Sequence, residues 1–248
     1  MPKHFFLPEA LDLKNQRITV TGDTAHHLFN VMRINHDDEV ILCDGNGIDY
    51  FTKFCKHSSA SSNAIFLIKH STLCKNEPPI SITLYQSLPK GDKLDLIIQK
   101  CVELGVDEIK LVNAQRSVMR IKDKDKVKKT TRFQKISESA AGQSMRGKIP
   151  IIHPPCNFDV AIQSQKNGLT LFGHVGECEA TLKSVITNPL LYNNSHINIW
   201  IGPEGGFTND EVSMLYKAGA SPVRLGQRIL RTETAAISAI AQIICLCE

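Results

Sequence analysis

The chain has 248 residues, of which 42% are hydrophobic and 22% are charged, and its mean hydropathy is −0.13. This composition is typical of a globular protein of about one or two domains and excludes a disordered or collagen-like chain. No apolar run approaches the roughly 18 residues of a membrane span, and residues 1–10 lack the apolar core of a signal peptide, so we expect a cytoplasmic protein.

The eight cysteines and nine histidines are dispersed along the chain, and no C-x-x-C pair occurs. A zinc ribbon or a dithiol redox site would bring such residues together at short spacing. We therefore expect reduced, mostly buried thiols and no metal site.

The net charge of +4 is unevenly distributed. Between Arg116 and Lys148 there are eleven basic residues and three acidic ones, a net of +8, so the rest of the chain carries −4. A concentrated basic stretch is the electrostatic footprint of a protein that meets phosphates. For the lysines of residues 122–129 (KDKDKVKK), a solvated loop or helix face is an equally good interpretation.

The amino-terminal part of the sequence predicts strands. Alternating or apolar patterns mark strands at residues 39–43, 50–54 and 64–69, a turn lies at 44–47, and a short helix at 24–32 interrupts them. Residues 71–79 (STLCKNEPP) end in two prolines and read as a linker. We therefore predict a first domain over residues 1–72, a linker over 73–79 and a second domain over 80–248.

The second domain alternates strands with helices, which is typical of a mostly parallel α/β sheet. Its helices have recognisable ends: Asp92 precedes an apolar stripe that stops at Gly105, and Thr208 opens a capping box with Glu211. The last helix, residues 232–247, carries almost no charge, which suits burial in the core or at a subunit interface. The predicted strands are residues 80–86, 108–113, 169–173 and 197–201, and a further helix runs through Phe133, Ile136, Ala140 and Ser144.

Three loops follow predicted strands: residues 173–177 (GHVGE), 202–207 (GPEGGF) and 225–234 (LGQRILRTET). Ligands of open α/β sheets bind where strands end, and glycines let the backbone approach a flat ligand closely. Any one of these loops could equally be a plain turn.

Familiar nucleotide motifs do not account for these loops. No G-x-G-x-x-G occurs, and residues 142–148 (GQSMRGK) match a P-loop only until Ile149, which has no hydroxyl for magnesium. The match also ends a predicted helix instead of starting one, so nucleotide hydrolysis is disfavoured.

Four long motifs occur in one order: KGDKLDLIIQKCVELGV, RFQKISESAAGQSMR, GPEGGFTNDE and LGQRILRTETA. Together with the amino-terminal HHLFNVMR they resemble the ribosomal RNA small subunit methyltransferase E family, SPOUT-class enzymes that methylate N3 of a uridine in 16S rRNA. The resemblance implies a PUA-like RNA-binding β-barrel, a SPOUT α/β domain with a deep trefoil knot, S-adenosylmethionine as methyl donor, a homodimer, and 16S rRNA or the small ribosomal subunit as partner. A non-catalytic RNA-binding factor of ribosome assembly with the same fold is the alternative.

The resemblance also implies roles for individual residues. The cofactor pocket would be formed by Leu171, Phe172, Gly173, His174, Ile201, Gly202, Pro203, Glu204, Gly205, Gly206, Leu225, Gly226, Ile229, Leu230, Arg231 and Thr234. RNA would be contacted by Arg17, His27, Arg33, Arg116, Arg120, Arg132 and Arg146, with Lys53 also available.

For catalysis, a guanidinium from Arg231, Arg116 or Arg146 would stabilise a uridine anion, and Glu204 or Glu233 is a candidate base. Glu233 could equally be a first-turn carboxylate after a capping Thr232. Gln115 and Gly142 stand where the family usually has glutamate, so the roles of those acids remain open in this chain.

Overall fold

The computed structural model describes residues 3–7, 16–22, 25, 28, 33–58, 63–174, 176, 178–187 and 196–248. The chain divides into two compact units, residues 1–77 with 141–149 and residues 78–140 with 150–248. The division at 77/78 falls inside the predicted linker. No helix among the described residues is both long enough and apolar enough to cross a membrane.

By their contacts, residues 141–149 group with the amino-terminal unit, whereas the sequence predicts them within the second domain. The carboxylate of Glu77 accepts hydrogen bonds from the backbone N–H groups of Gly147 (2.8 Å) and Lys148 (3.1 Å). The N–H of Gly47 donates to the carbonyl of Gly147 at 2.9 Å. These contacts join segments distant in sequence, which a boundary read from prolines could not reveal.

The amino-terminal unit contains a five-stranded sheet in the order β1-β3-β4-β5-β2. Its strands are β1 (Lys3–Phe6), β2 (Arg17–Val20), β3 (Glu39–Cys43), β4 (Ile48–Ser58) and β5 (Asn63–Leu73). The β1–β3 pair is parallel and the other pairs are antiparallel. The predicted β3 is confirmed, whereas β4 and β5 are longer than predicted because their ladder continues as far as Ile48 opposite Leu73.

The predicted turn between β3 and β4 is confirmed. The side chain of Asp44 accepts hydrogen bonds from the backbone N–H groups of Asn46 (2.8 Å) and Ile48 (3.0 Å), and Gly45 and Gly47 both have positive φ. Most of the predicted helix at 24–32 lies outside the described residues.

The carboxy-terminal unit contains a six-stranded sheet in the order β11-β9-β10-β6-β7-β8, and every pair in it is parallel. Its strands are β6 (Ser81–Ser87), β7 (Glu108–Asn113), β8 (Ile151–Asn157), β9 (Leu169–Gly173), β10 (His196–Ile201) and β11 (Ser221–Val223). This confirms the predicted parallel α/β sheet. The sequence analysis missed β8 because Pro154 and Pro155 disfavour a strand, but β8 is an edge strand, where proline is tolerated.

The helices that the described residues form are α1 (Lys93–Leu104), α2 (Asp123–Gln143), α3 (Phe158–Gln163), α4 (Leu182–Ile186), α5 (Asn209–Lys217) and α6 (Thr232–Cys247). Gly105 ends α1 with φ of +112°, and Thr208 and Glu211 form the complete capping box of α5, both as predicted. Asp92 precedes α1 but its side chain makes no capping hydrogen bond.

The strand β10 lies in the interior of the six-stranded sheet and is held there by packing on both of its faces. Every residue of β10 is buried, and Trp200 stacks on Tyr85 of β6 with ring centroids 4.3 Å apart. Because all six strands are parallel, the loops after β6, β9, β10 and β11 leave the sheet at the same edge.

Candidate active site

The three loops singled out in the sequence meet at this edge around one cavity of about 320 Å³. This volume lies at the lower end of the range of small-molecule sites, roughly 300–1,000 Å³. Its lining residues are Gly173, His174, Ile201, Gly202, Pro203, Glu204, Gly206, Arg224, Leu225, Gly226, Gln227, Arg228, Ile229, Leu230, Arg231, Thr232 and Ala235.

Twelve of the sixteen predicted pocket residues line this cavity. The other four do not: Leu171 and Phe172 are fully buried within β9, and Gly205 and Thr234 lie outside the lining. Among the lining residues, Arg224 and Arg228 were missed. Both arginines lie in or next to the loop LGQRILRTET, and the basic composition of this loop is the sequence feature that could have identified them.

The loop GPEGGF is a tight turn held against α6. The N–H of Gly206, which has φ of +67°, donates to the carbonyl of Pro203 at 2.9 Å. A Cβ at Gly202 would lie 3.3 Å from the Cα of Gly206, so a larger side chain would crowd the turn.

Thr232 joins this loop to the sheet. Its hydroxyl donates to the carbonyl of Gly202 at 2.7 Å and accepts a hydrogen bond from the side-chain amide of Gln86 at 3.0 Å. Glu233 lies in the first turn of α6, as the alternative interpretation expected, but the N-cap of this helix is Arg231 and not Thr232. The hydroxyl of Thr232 instead fixes the position of the cavity wall.

Arg116 also holds the loop. One nitrogen of its guanidinium donates to the carbonyls of Gly205 (2.8 Å) and Phe207 (3.3 Å). Such charge-assisted bonds to main-chain carbonyls restrain the backbone. Arg116, which was predicted to act in catalysis and RNA binding, thus contacts the loop GPEGGF.

Lys93, at the start of α1, links two carboxylates beside the cavity. Its ammonium lies 3.0 Å from Oε1 of Glu204 and 3.3 Å from Oε2 of Glu233. The backbone N–H of Lys90 also donates to Glu204 at 3.2 Å. The sequence analysis did not select Lys93.

This contact changes the acidity of both partners. Partial burial by itself raises the pKa of Glu204, but the hydrogen bonds from Lys93 and from the backbone outweigh it, so the pKa is lowered. The hydrogen bond to Glu204 raises the pKa of Lys93. Glu204 is therefore a carboxylate at neutral pH, and a weak base.

The sequence and the fold of this chain are similar to those of known proteins. A family profile described as an RNA methyltransferase domain matches residues 76–244, and one described as an RNA methyltransferase PUA domain matches residues 20–67. Ribosomal RNA small subunit methyltransferase E of Bacillus subtilis is 36% identical over 232 residues, covering 91% of this chain and 88% of the relative. The protein of that name from Buchnera aphidicola is 34% identical, covering 95% of this chain and 90% of the relative.

The chain belongs to the ribosomal RNA small subunit methyltransferase E family.

A solved structure of a ribosomal RNA small subunit methyltransferase E from Neisseria gonorrhoeae, bound to S-adenosyl methionine, superposes with a TM-score of 0.86. It is 33% identical to this chain, and the match covers 99% of this chain and 98% of that one. The resemblance seen in the motifs is thereby confirmed at the level of sequence and fold.

The remaining arginines predicted for this family member differ in their surroundings. Arg231 is exposed and lines the cavity. Arg146 is 2% exposed and forms an ion pair with Glu77 at 2.7 Å, outside the cavity lining. A buried guanidinium paired in this way is held within its own unit, and the catalytic and RNA-binding roles of Arg146 stay predictions.

The other predicted RNA contacts lie on the surface of their units. Arg132 makes a bidentate ion pair with Asp95, with N–O distances of 2.6 and 2.8 Å, and Lys53 pairs with Asp37 at 2.9 Å. His27 lies outside the described residues. Arg17, Arg33 and Arg120 are exposed to solvent, as are Arg116 and Arg132.

The structure shows what surrounds the two departures from the family pattern. The backbone N–H of Gln115 donates to the buried carboxylate of Glu211 at 2.7 Å, while the side chain of Gln115 is exposed. Gly142 lies in the last turn of α2. The capping carboxylate of α5 therefore also fixes the segment that carries Arg116.

Proposed function

We propose that this protein transfers the methyl group of S-adenosylmethionine to N3 of a uridine in 16S rRNA of the small ribosomal subunit. The observation that carries the proposal is that three loops from one sheet edge line a single cavity in a chain similar along its length to ribosomal RNA small subunit methyltransferase E proteins. The similar structure with bound S-adenosyl methionine supports the choice of methyl donor.

The cavity residues fit such a donor. Ile201, Leu225 and Leu230 offer apolar surface for an adenine ring, and the backbone of residues 202–206 is accessible because it is rich in glycine. Glu204 contributes a negative charge suited to a sulfonium or an ammonium group. When bound, S-adenosylmethionine supplies an electrophilic methyl group on sulfur.

Arg231 is the best placed residue for the acceptor side. In the reaction a bond forms between N3 and the methyl carbon, the sulfur–carbon bond breaks, and the N3 proton leaves. A guanidinium beside the uracil carbonyls stabilises the negative charge that this loss creates. Of the three arginines considered, Arg116 is engaged with the loop and Arg146 with Glu77, which leaves Arg231 at the cavity.

The mechanism also needs a base that accepts the N3 proton, and this base can be weak. Of the two candidates, Glu204 lines the cavity and Glu233 does not. A carboxylate with a lowered pKa is a weak acceptor, but stabilisation of the uracil anion by Arg231 reduces the base strength that is needed. We propose that Glu204 receives the proton directly or through water, and that Lys93 holds Glu204 in place.

The proposal also includes the homodimer, the deep trefoil knot, the closed PUA-like barrel and the cytoplasmic location that the family resemblance implies. The scarcity of charge along α6 supports a subunit interface on this helix. Light scattering of the purified protein would distinguish a dimer of about twice 27.5 kDa from a monomer.

The decisive experiment is transfer of labelled methyl groups to small ribosomal subunits that lack the modification, followed by mass spectrometry of the nucleosides. We expect 3-methyluridine at one position. Binding of S-adenosylmethionine and of subunits without transfer would favour the assembly factor instead. Methylation at another atom or another base would overturn the assignment of N3.

A further inference from the structure

A second cluster of reactive side chains lies in the amino-terminal unit. His4 on β1, Cys43 at the end of β3 and Asp49 on β4 each place one ligand-type atom within 4.8 Å of the others. Nε2 of His4 is 3.2 Å from Oδ1 of Asp49, and Cys43 and Asp49 are direct partners in the β3–β4 ladder. The three strands are neighbours in the sheet, so the cluster is built on rigid elements.

The cluster is shielded from water. The side chain of His4 is 3% exposed and that of Asp49 is 12% exposed, and Cys43 is fully buried. Burial raises the pKa of the Cys43 thiol to about 12, and the thiol donates to the carbonyl of Gly147 at 3.1 Å. A thiol, a carboxylate and an imidazole are thus enclosed together.

Hydrogen bonds among the described residues leave one polar atom of the cluster unsatisfied. The buried Nδ1 of His4 has no hydrogen-bond partner among the described residues. A buried polar atom without a partner is costly, and it is uncommon in native proteins unless water or an ion satisfies it. The imidazole of His4 therefore has one ring nitrogen that faces Asp49 and one that has no partner among the described residues.

We propose that His4, Cys43 and Asp49 bind one divalent transition-metal ion, with Zn²⁺ as the best match. Thiolate, imidazole and carboxylate are all zinc ligands, and soft thiolate ligation disfavours magnesium and calcium. Zinc bonds of about 2.0–2.3 Å put tetrahedral ligand atoms roughly 3.3–3.8 Å apart, so the cluster closes around an ion with movements of about 1 Å.

The charges of this site balance. On binding, Cys43 loses its proton to solvent and becomes a thiolate, so that one thiolate and one carboxylate neutralise a divalent cation. The buried site is then neutral overall, which avoids the cost of an unpaired buried charge. A neutral water molecule would complete four-fold coordination without changing this balance.

The site would fasten the short edge strand β1 to its neighbours. Among the described residues, β1 pairs with β3 through four residues at the edge of the sheet, and the unit that contains it is the smaller of the two. Small units often need a metal or a disulfide to supplement their core. The sequence predicts no metal site because His4 lies 45 positions before Asp49 and reaches the other two ligands only through strand pairing.

Cobalt titration tests the proposal directly. The probe is Co²⁺ added to the full-length, reduced and chelator-treated protein, because thiolate ligation to Co²⁺ produces near-ultraviolet charge-transfer absorption. We expect saturation at one equivalent, displacement by Zn²⁺, and a higher Tm with Zn²⁺ present. No absorption change and no change in Tm in the wild type would overturn the proposal.

Variants separate this site from adventitious binding. Asp49→Asn and Cys43→Ser should weaken Co²⁺ binding at least about tenfold, whereas Cys55→Ser, which alters a half-buried thiol outside the cluster, should bind as the wild type does. Asp49→Asn is close in shape to the native residue, and circular dichroism would verify its fold. Unchanged titration of both cluster variants would overturn the site.

Discussion

The cavity and the basic helix α2 both concentrate positive charge, but they use it differently. Beside the cavity, Lys93 contacts two carboxylates and Arg116 contacts two carbonyls, and the cavity itself is lined by Arg231. On α2, the lysines at positions 124, 128 and 135 are exposed to solvent. Removal of one cavity cation should therefore change catalysis strongly, whereas the helix lysines should act only in sum.

The largest effect is expected for Arg231→Ala. Loss of one group that stabilises charge only in the transition state typically costs about 10²–10³-fold in rate, and we expect this loss in kcat/KM for methyl transfer. Arg231→Lys should recover part of it. The affinity for S-adenosylmethionine, measured by calorimetry, serves as the control for an intact cavity. Activity of Arg231→Ala within a factor of about three of the wild type would remove Arg231 from the mechanism.

Lys93→Met tests whether the linked carboxylates position the loop. With no ammonium between them, Glu204 and Glu233 repel each other and the loop that carries Glu204 shifts. Small misplacements of this kind can lower rates by up to about 10²-fold, and we expect a loss of about tenfold or more in kcat.

Lys93→Arg is the matched variant, because a guanidinium can contact both carboxylates. It should retain most of the activity. If Lys93→Met and Lys93→Arg both match the wild type in kcat and KM, the ion pairs have no role in positioning.

The sequence could predict the cavity loops but not the side-chain contacts that hold them. The three cavity loops were found because glycine content and position after a strand are local properties. The contacts of Lys93 with Glu204 and of Arg116 with Gly205 join residues 111 and 89 positions apart, so no local pattern marks them. Likewise, the sequence does not indicate that Arg146 pairs with Glu77, because the two residues are 69 positions apart.

In the fold, too, local patterns were predictable from the sequence and tertiary contacts were not. Apolar periodicity and end signals correctly gave α1, α5 and α6, and strand patterns gave the parallel sheet. The edge strand β8 was missed because its prolines oppose the local strand pattern, and its pairing with β7 is a tertiary property. The return of residues 141–149 to the amino-terminal unit is of the same kind.

A smaller effect is expected for an ion pair outside the cavity. Glu108 contacts His153 at 3.0 Å and also Lys166. The hydrogen bond from His153, which together with Lys166 outweighs the effect of burial, lowers the pKa of Glu108 to about 2. Because the folded pKa lies below the unfolded one, this contribution to stability is present above about pH 4.5 and is lost as the pH falls towards 2.

Urea unfolding at pH 7 and pH 3.5 would measure this contribution. Glu108→Gln should reduce the pH dependence of the free energy of unfolding by about 1 kcal/mol, allowing for the partial solvent screening of the pair. Glu103→Gln, which removes a helix-surface pair with Lys100, is the control and should change the pH dependence much less. Equal changes in the two variants would contradict a special role for Glu108.

The smallest effect of any single residue is expected for the lysines of α2. Each phosphate contact contributes a slope of about −0.7 to the dependence of log K on log salt concentration for single-stranded RNA. Replacing Lys124, Lys128 and Lys135 by glutamine should therefore reduce the slope by about 2 if all three contact RNA. The matched control replaces the exposed Lys75, Lys183 and Lys217, which lie outside α2. Both triple variants lose the same net charge. A smaller slope in the α2 variant alone would therefore locate the RNA contact on α2. Equal slopes in the two variants would mean that the α2 lysines are solvated surface and that other cations bind the RNA.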